Sequence, residues 1–245
     1  MTIASIFLAS RAGTVWVCRW VGAAACAVVV LSACSSQPPQ PQWQMDAHGA
    51  SQRAVQAYLL GQDRMEALEW ERARAAVTST GRGDLWARLE LLRCASRVAS
   101  LTTEPCELNQ PWSAGAAPAE QAYARYLGAE PVAASERLLL PQAQQAFAMT
   151  AAMDRRLAPD PVMALKAMDD PLARLVAAGV LLRQDRASLA VAEVAIDAAS
   201  AQGWRRPLLA WLVWGARQAQ SAGNAAQASE WQQRAAVVTR TVPPP

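Results

Sequence analysis

From about residue 46 to residue 240, apolar side chains recur every three or four positions, with no sustained two-residue alternation. That period is one face of an α-helix, so the pattern predicts an all-α domain without a sheet. Breakers divide it into helices. The first runs from Asp46 to about Leu60 and stops at Gly61; the second covers about Arg64–Ser79 and ends near Gly81. A third starts at Asp84 and carries Leu85, Leu89 and Leu92 on one stripe. Residues 102–118, rich in Pro, read as a loop between two halves. Further helices are predicted over Ala119–Leu127, Val132–Leu139, Gln142–Arg156, Pro161–Met168, Pro171–Arg183, Ala187–Gln202, Pro207–Ala222 and Asn224–Thr239. Short loops between them imply stacked antiparallel helical hairpins. Pro171–Arg183 and Pro207–Gly215 are apolar nearly all round, the mark of helices buried between neighbours.

Outside this domain, 46–240, the pattern changes. Met1–Ala33 contains no Asp or Glu, places Arg11 and Arg19 ahead of the apolar run Val21–Leu31, and so reads as a signal peptide. The run is too short to span a bilayer, which takes ~20 apolar residues. Residues 34–45 are rich in Pro and Gln and read as an extended tether; 241–245 is a short tail.

The leader ends in Leu31-Ser32-Ala33-Cys34, which resembles the lipobox of bacterial lipoprotein precursors. The resemblance implies cleavage between Ala33 and Cys34 and a covalent lipid on Cys34. Ser35, in place of Asp, implies sorting to the outer membrane, facing the periplasm. Two or three acyl chains would anchor stably, where a single chain binds only marginally. The helical pattern resembles a degenerate tetratricopeptide repeat at Ala57, Leu60, Gly61 and Ala73, with the Gly-to-Ala spacing repeated at Gly223 and Ala235. Residues 201–212, AQGWRRPLLAWL, are similar to a stretch in uncharacterised proteobacterial lipoproteins.

Charge and chemistry narrow the functional classes. The net charge of +3 falls to +1 once Arg11 and Arg19 leave with the leader, so no nucleic-acid partner is expected. Cys18 and Cys26 leave too; Cys94 and Cys106 remain as an even pair in an oxidising compartment and are expected to form a disulfide. With His48 the only His, neither a zinc site nor a histidine-based triad is expected, and no cofactor other than the lipid on Cys34. Glu66 and Glu69 share a helix face that reads as solvated, and Asp169-Asp170 before Pro171 read as a helix cap. Trp211, Trp214, Trp70 and Trp86 read as core. Trp204, Arg205 and Arg206 are the candidate partner-binding residues, because Trp and Arg dominate binding hot spots. The expected function is a non-enzymatic, membrane-anchored adaptor for another envelope protein. The alternatives are a carrier of an apolar ligand or lipid, or a carboxylate-dependent enzyme acting on peptidoglycan or glycans.

Overall fold

In a computed structural model, residues 40–106, 115–151 and 160–240 are described. The leader, Ala33, Cys34 and the tail 241–245 lie outside these residues, as does the tether up to position 39. The described residues form α-helices and no strands. In chain order the helices are α1 (Gln42–Leu60), α2 (Asp63–Thr78), α3 (Gly83–Ala99), α4 (Pro118–Leu127), α5 (Ala134–Arg137), α6 (Gln142–Ala151), α7 (Pro161–Lys166), α8 (Pro171–Arg183), α9 (Leu189–Ala201), α10 (Arg205–Ser221) and α11 (Ala225–Thr239).

The predicted all-α stack of hairpins is the observed fold. Helices α1 and α2 form one antiparallel hairpin, and α10 and α11 form another. Helix α8 lies at the centre against α3 and α9, and its residues 175–181 are all buried, as an all-round apolar helix requires. The α3–α8 crossing is close enough that only glycine fits at Gly179. A Cβ there would meet the Val98 carbonyl oxygen and would lie 2.9 Å from Val98 Cγ1. At Gly215 a Cβ would lie 2.5 Å from Trp231 Cζ3, so the α10–α11 hairpin closes by seating an indole on a glycine.

Two expectations about element limits change. Helix α1 starts at Gln42, four residues before Asp46, so the tether ends at Pro41. The early turn is closed by Gln44 N–H donating to Pro41 O, and the Gln42 amide donates to Asp46, which lies inside the helix rather than capping it. The segment Pro207–Gly215 is less buried than its composition suggests, with Val213 on the surface. Trp211 and Trp70 are buried as expected, and the Trp211 indole donates to Ala99 O across the α3–α10 contact.

The chain also folds back on itself. Helix α10 packs on α1, where a strictly linear stack would keep the first and tenth helices apart. Inside the second half, buried Gln144 links three elements: Tyr126 Oη donates to its Oε1, and its Nε2 donates to Ala173 O.

Candidate functional site

The sequence candidates fall into two groups. Trp204 is buried and its indole donates to Gln56, while Arg206 donates to Tyr58 O and pairs with Asp63. These two residues therefore join α10 to the first hairpin. Arg205 is exposed and donates to Val238 O. The reason is positional: residues 204–206 open α10 where it meets the end of α1, and the Trp204 and Arg206 side chains span that seam while Arg205 turns to α11.

Glu66 and Glu69 are buried, which corrects the solvated face expected for them. Glu69 accepts from Arg53 Nε and Nη2, both at 2.9 Å, and from Arg72 Nη1 at 2.6 Å. The Arg53 hydrogen bond holds the Glu69 carboxyl below its ordinary range, against burial, which pulls the other way. Glu66 accepts from the Trp70 indole and from Arg97, both at 3.3 Å. Helix period alone places these two acids on one face. That the face is covered by arginines from α1 and α3 is a tertiary fact.

Asp170 accepts from Leu172 N, the expected cap of α8. His48 is exposed on α1. Cys94 on α3 is disulfide-bonded to Cys106 in the following segment, with Cα atoms 5.6 Å apart. Among the described residues no group of three or more His, Cys, Asp and Glu could hold a metal ion, and no helix is long and apolar enough to cross a membrane.

The feature that sequence reading missed lies beside the disulfide. A cleft of about 900 Å³ opens where the C-terminal ends of α3, α4 and α8 converge. Each of these helices ends in the same motif. The residue after the cap is left-handed: Leu101 (φ 59°), Ala129 (φ 62°) and Asp185 (φ 54°). Each motif closes with a bond from the next N–H to a carbonyl five residues back: Thr102 to Arg97, Glu130 to Arg125, and Arg186 to Leu181. At the ends of α1, α9 and α10 the same motif uses Gly61, Gly203 and Gly223. Only at the cleft do side chains occupy the left-handed position, among the described residues, and such residues cost about 1–3 kcal/mol each. Strain of this kind concentrates at clamps and binding sites, which marks the cleft as the candidate site.

Arg183, the last residue of α8, holds the site together. Its guanidinium donates to Leu127 O at 2.9 Å, to Thr102 O at 2.8 Å and to Glu104 O at 3.1 Å. Burial pushes its pKa below the ordinary value, and the converging carbonyl ends keep a cation favourable there. The disulfide fixes the wall formed by Leu101, Thr102, Pro105 and Cys106. Arg125, across the cleft, is paired with Glu136. Of the three turns only the end of α4 carries a glycine, Gly128 just before left-handed Ala129, so sequence punctuation marks one helix end and not the cleft.

No protein-family model, no curated protein and no solved structure matches this chain.

Proposed function

We propose that this chain is an envelope lipoprotein, anchored through a lipid on Cys34, whose helical-hairpin domain is a non-enzymatic adaptor. It would face the periplasm from the outer membrane and hold another envelope protein. The observation that carries this reading is the cleft at the ends of α3, α4 and α8. It is walled by a disulfide, pinned by Arg183 and shaped by three strained turns, so its form is set before any partner arrives. Preorganisation reduces the ordering cost of association. The tether supports the same reading, since a short Pro-rich segment keeps the domain near the surface that carries its partners.

Against the carboxylate-dependent enzyme, Glu66 and Glu69 are engaged by arginines and Trp70, and Asp170 of the Asp169-Asp170 pair caps α8. A carrier is the second reading. The volume of the cleft lies in the range of about 300–1,000 Å³ typical of small-ligand sites. Val98, Leu101 and Leu182 give it an apolar lining.

The test is crosslinking of the chain in its native envelope, with Cys34→Ala as control and metabolic labelling by a palmitate analogue. A stoichiometric envelope protein, captured only when Cys34 is lipidated, supports the adaptor. A clean chain carrying lipid in native mass spectrometry would overturn the adaptor and favour the carrier.

A further inference from the structure

We infer that the Cys94–Cys106 disulfide is a thiol-exchange site, opened by attack of a thiolate on Cys94 with Cys106 as the leaving sulfur. This inference stands apart from the adaptor reading and rests on what surrounds the two sulfurs. Both cysteines are half-buried, and two openings reach them. A small pocket of about 130 Å³ is lined by Cys94 and Cys106 together with Glu90, Arg93, Arg97 and Glu104. The larger cleft is lined by Cys106 and not by Cys94. The pocket is therefore the approach to Cys94, and Cys106 has a second opening of its own. Access of this kind separates exchangeable disulfides from inert ones.

The groups beside the two sulfurs give the bond a direction. Arg183 Nη1 lies 4.0 Å from Cys106 Sγ, and the same guanidinium is fixed by bonds to Leu127 O, Thr102 O and Glu104 O. Those three acceptors are neutral carbonyls, so the cation keeps its charge for the sulfur beside it. A sulfur released at Cys106 becomes a thiolate against that cation, and a better stabilised thiolate leaves faster. On the approach to Cys94, Arg93 and Arg97 each keep one buried N–H without a hydrogen-bond partner, at Nε and Nη1 respectively. The acids of the pocket are engaged, Glu90 by Arg74 and Arg93, and Glu104 by Arg97 at 3.6 Å. The two unspent N–H groups therefore remain for an incoming anionic sulfur. The co-reactant is a dithiol. Its thiolate forms a bond to Cys94 Sγ, the Cys94–Cys106 bond breaks, and the electron pair leaves on Cys106 Sγ. The second sulfur of the dithiol, as thiolate, then displaces Cys94. The dithiol ends as a disulfide and both cysteines end reduced. Opening the bond releases Cys106 from α3, and with it a wall of the cleft.

The experiment treats the oxidised full-length chain with glutathione under native conditions and quenches at early times with N-ethylmaleimide. Mass spectrometry then maps Cys94 and Cys106. The expected product carries glutathione on Cys94 and maleimide on Cys106, in about tenfold excess over the reverse pattern. Unfolding in urea should level the two patterns, because the preference belongs to the fold. Arg183→Met should form the adduct about tenfold more slowly than Arg183→Lys, which keeps the cation. Arg183 also braces three helix ends, so the pattern in the wild-type chain decides the question even where Arg183→Met does not fold. Equal patterns in the folded chain, the reverse pattern, no adduct short of unfolding, or an undiminished rate in folded Arg183→Met would overturn the inference. None of these outcomes bears on the capture of a partner that tests the adaptor.

Discussion

The guanidinium of Arg206 lies over the ring of Tyr58, its carbon 4.4 Å from the ring centroid, and Arg97 lies 5.1 Å from that centroid. One aromatic ring therefore joins α10 to α3 through α1. Arg206 also donates to Tyr58 O and reaches Asp63, so a single residue of the C-terminal half ties both helices of the first hairpin. Arg206→Ala is expected to cost about 2 kcal/mol, from a cation–π contact of ~1 and hydrogen bonds worth ~1 net. Arg206→Lys should recover less than half, because an ammonium cannot stack and chelate at once. Urea denaturation of the three proteins checks this; an Arg206→Ala midpoint equal to wild type would show the seam to be dispensable.

The two close helix crossings predict unequal costs for the same change. Gly179→Ala puts a methyl against the Val98 carbonyl oxygen, which is backbone and cannot rotate away. Gly215→Ala puts it 2.5 Å from Trp231, a side chain on the outer hairpin. The first should destabilise by more than ~3 kcal/mol and the second by about 1–3, as expected for overpacking. Thermal melts of both variants decide the order. A milder Gly179 variant would mean that α3 and α8 can move apart.

How much of this was legible beforehand depends on what kind of signal each feature carries. Asp170 before Pro171, and Gly203 and Gly223 after helical runs, announce helix ends through local chemistry, so the bounds of α8 and the hairpin ends matched expectation. The Cys94–Cys106 pairing followed from parity and compartment. The intramolecular contacts of Trp204 and Arg206 were not legible, because a Trp-Arg cluster has the same composition at an interface between proteins and at a seam within one. Glu69 misled because burial of a carboxylate depends on Arg53 and Arg72, placed by the hairpin. The cleft was not legible because its left-handed positions are Leu101, Ala129 and Asp185, and the one adjoining glycine, Gly128, marks only the end of α4 and not the convergence of three helices.

Those turns offer a direct test of strain. Ala129→Gly removes the left-handed penalty while adding chain entropy to the unfolded state. The expected balance is a gain of about 0.5–1 kcal/mol, read as a higher urea midpoint. The same exchange at Gly61, reversed to Ala, should lose about 1 kcal/mol, although a Cβ there meets nothing within 4 Å. A neutral or destabilising Ala129→Gly would show that the turn is not strained.

Removing the disulfide with Cys94→Ala plus Cys106→Ala should lower stability by about 3 kcal/mol, the loop-closure figure for a loop of this size. Reduction of the wild-type protein should shift its melting point by a similar amount and leave the double variant unmoved. The wall of the cleft should loosen first, so hydrogen exchange at residues 101–106 is expected to rise more than exchange in α1 or α11.

Acid should unfold the first hairpin through Glu69. Its folded pKa lies below the ordinary value of 4.5, chiefly because Arg53 hydrogen-bonds to the charged form. Its stabilising contribution is therefore fully present above the unfolded value and drains away as pH falls through the lower folded one. Stability of the wild type should hold from neutrality down to about pH 5 and drop below pH 4.5, beyond what exposed carboxylates give. Glu69→Gln should be less stable at neutral pH, because Arg53 and Arg72 lose their shared anion, and the gap from wild type should close as the pH falls. Parallel gaps at pH 7 and pH 3 would assign the loss to side-chain packing and not to the charge of Glu69.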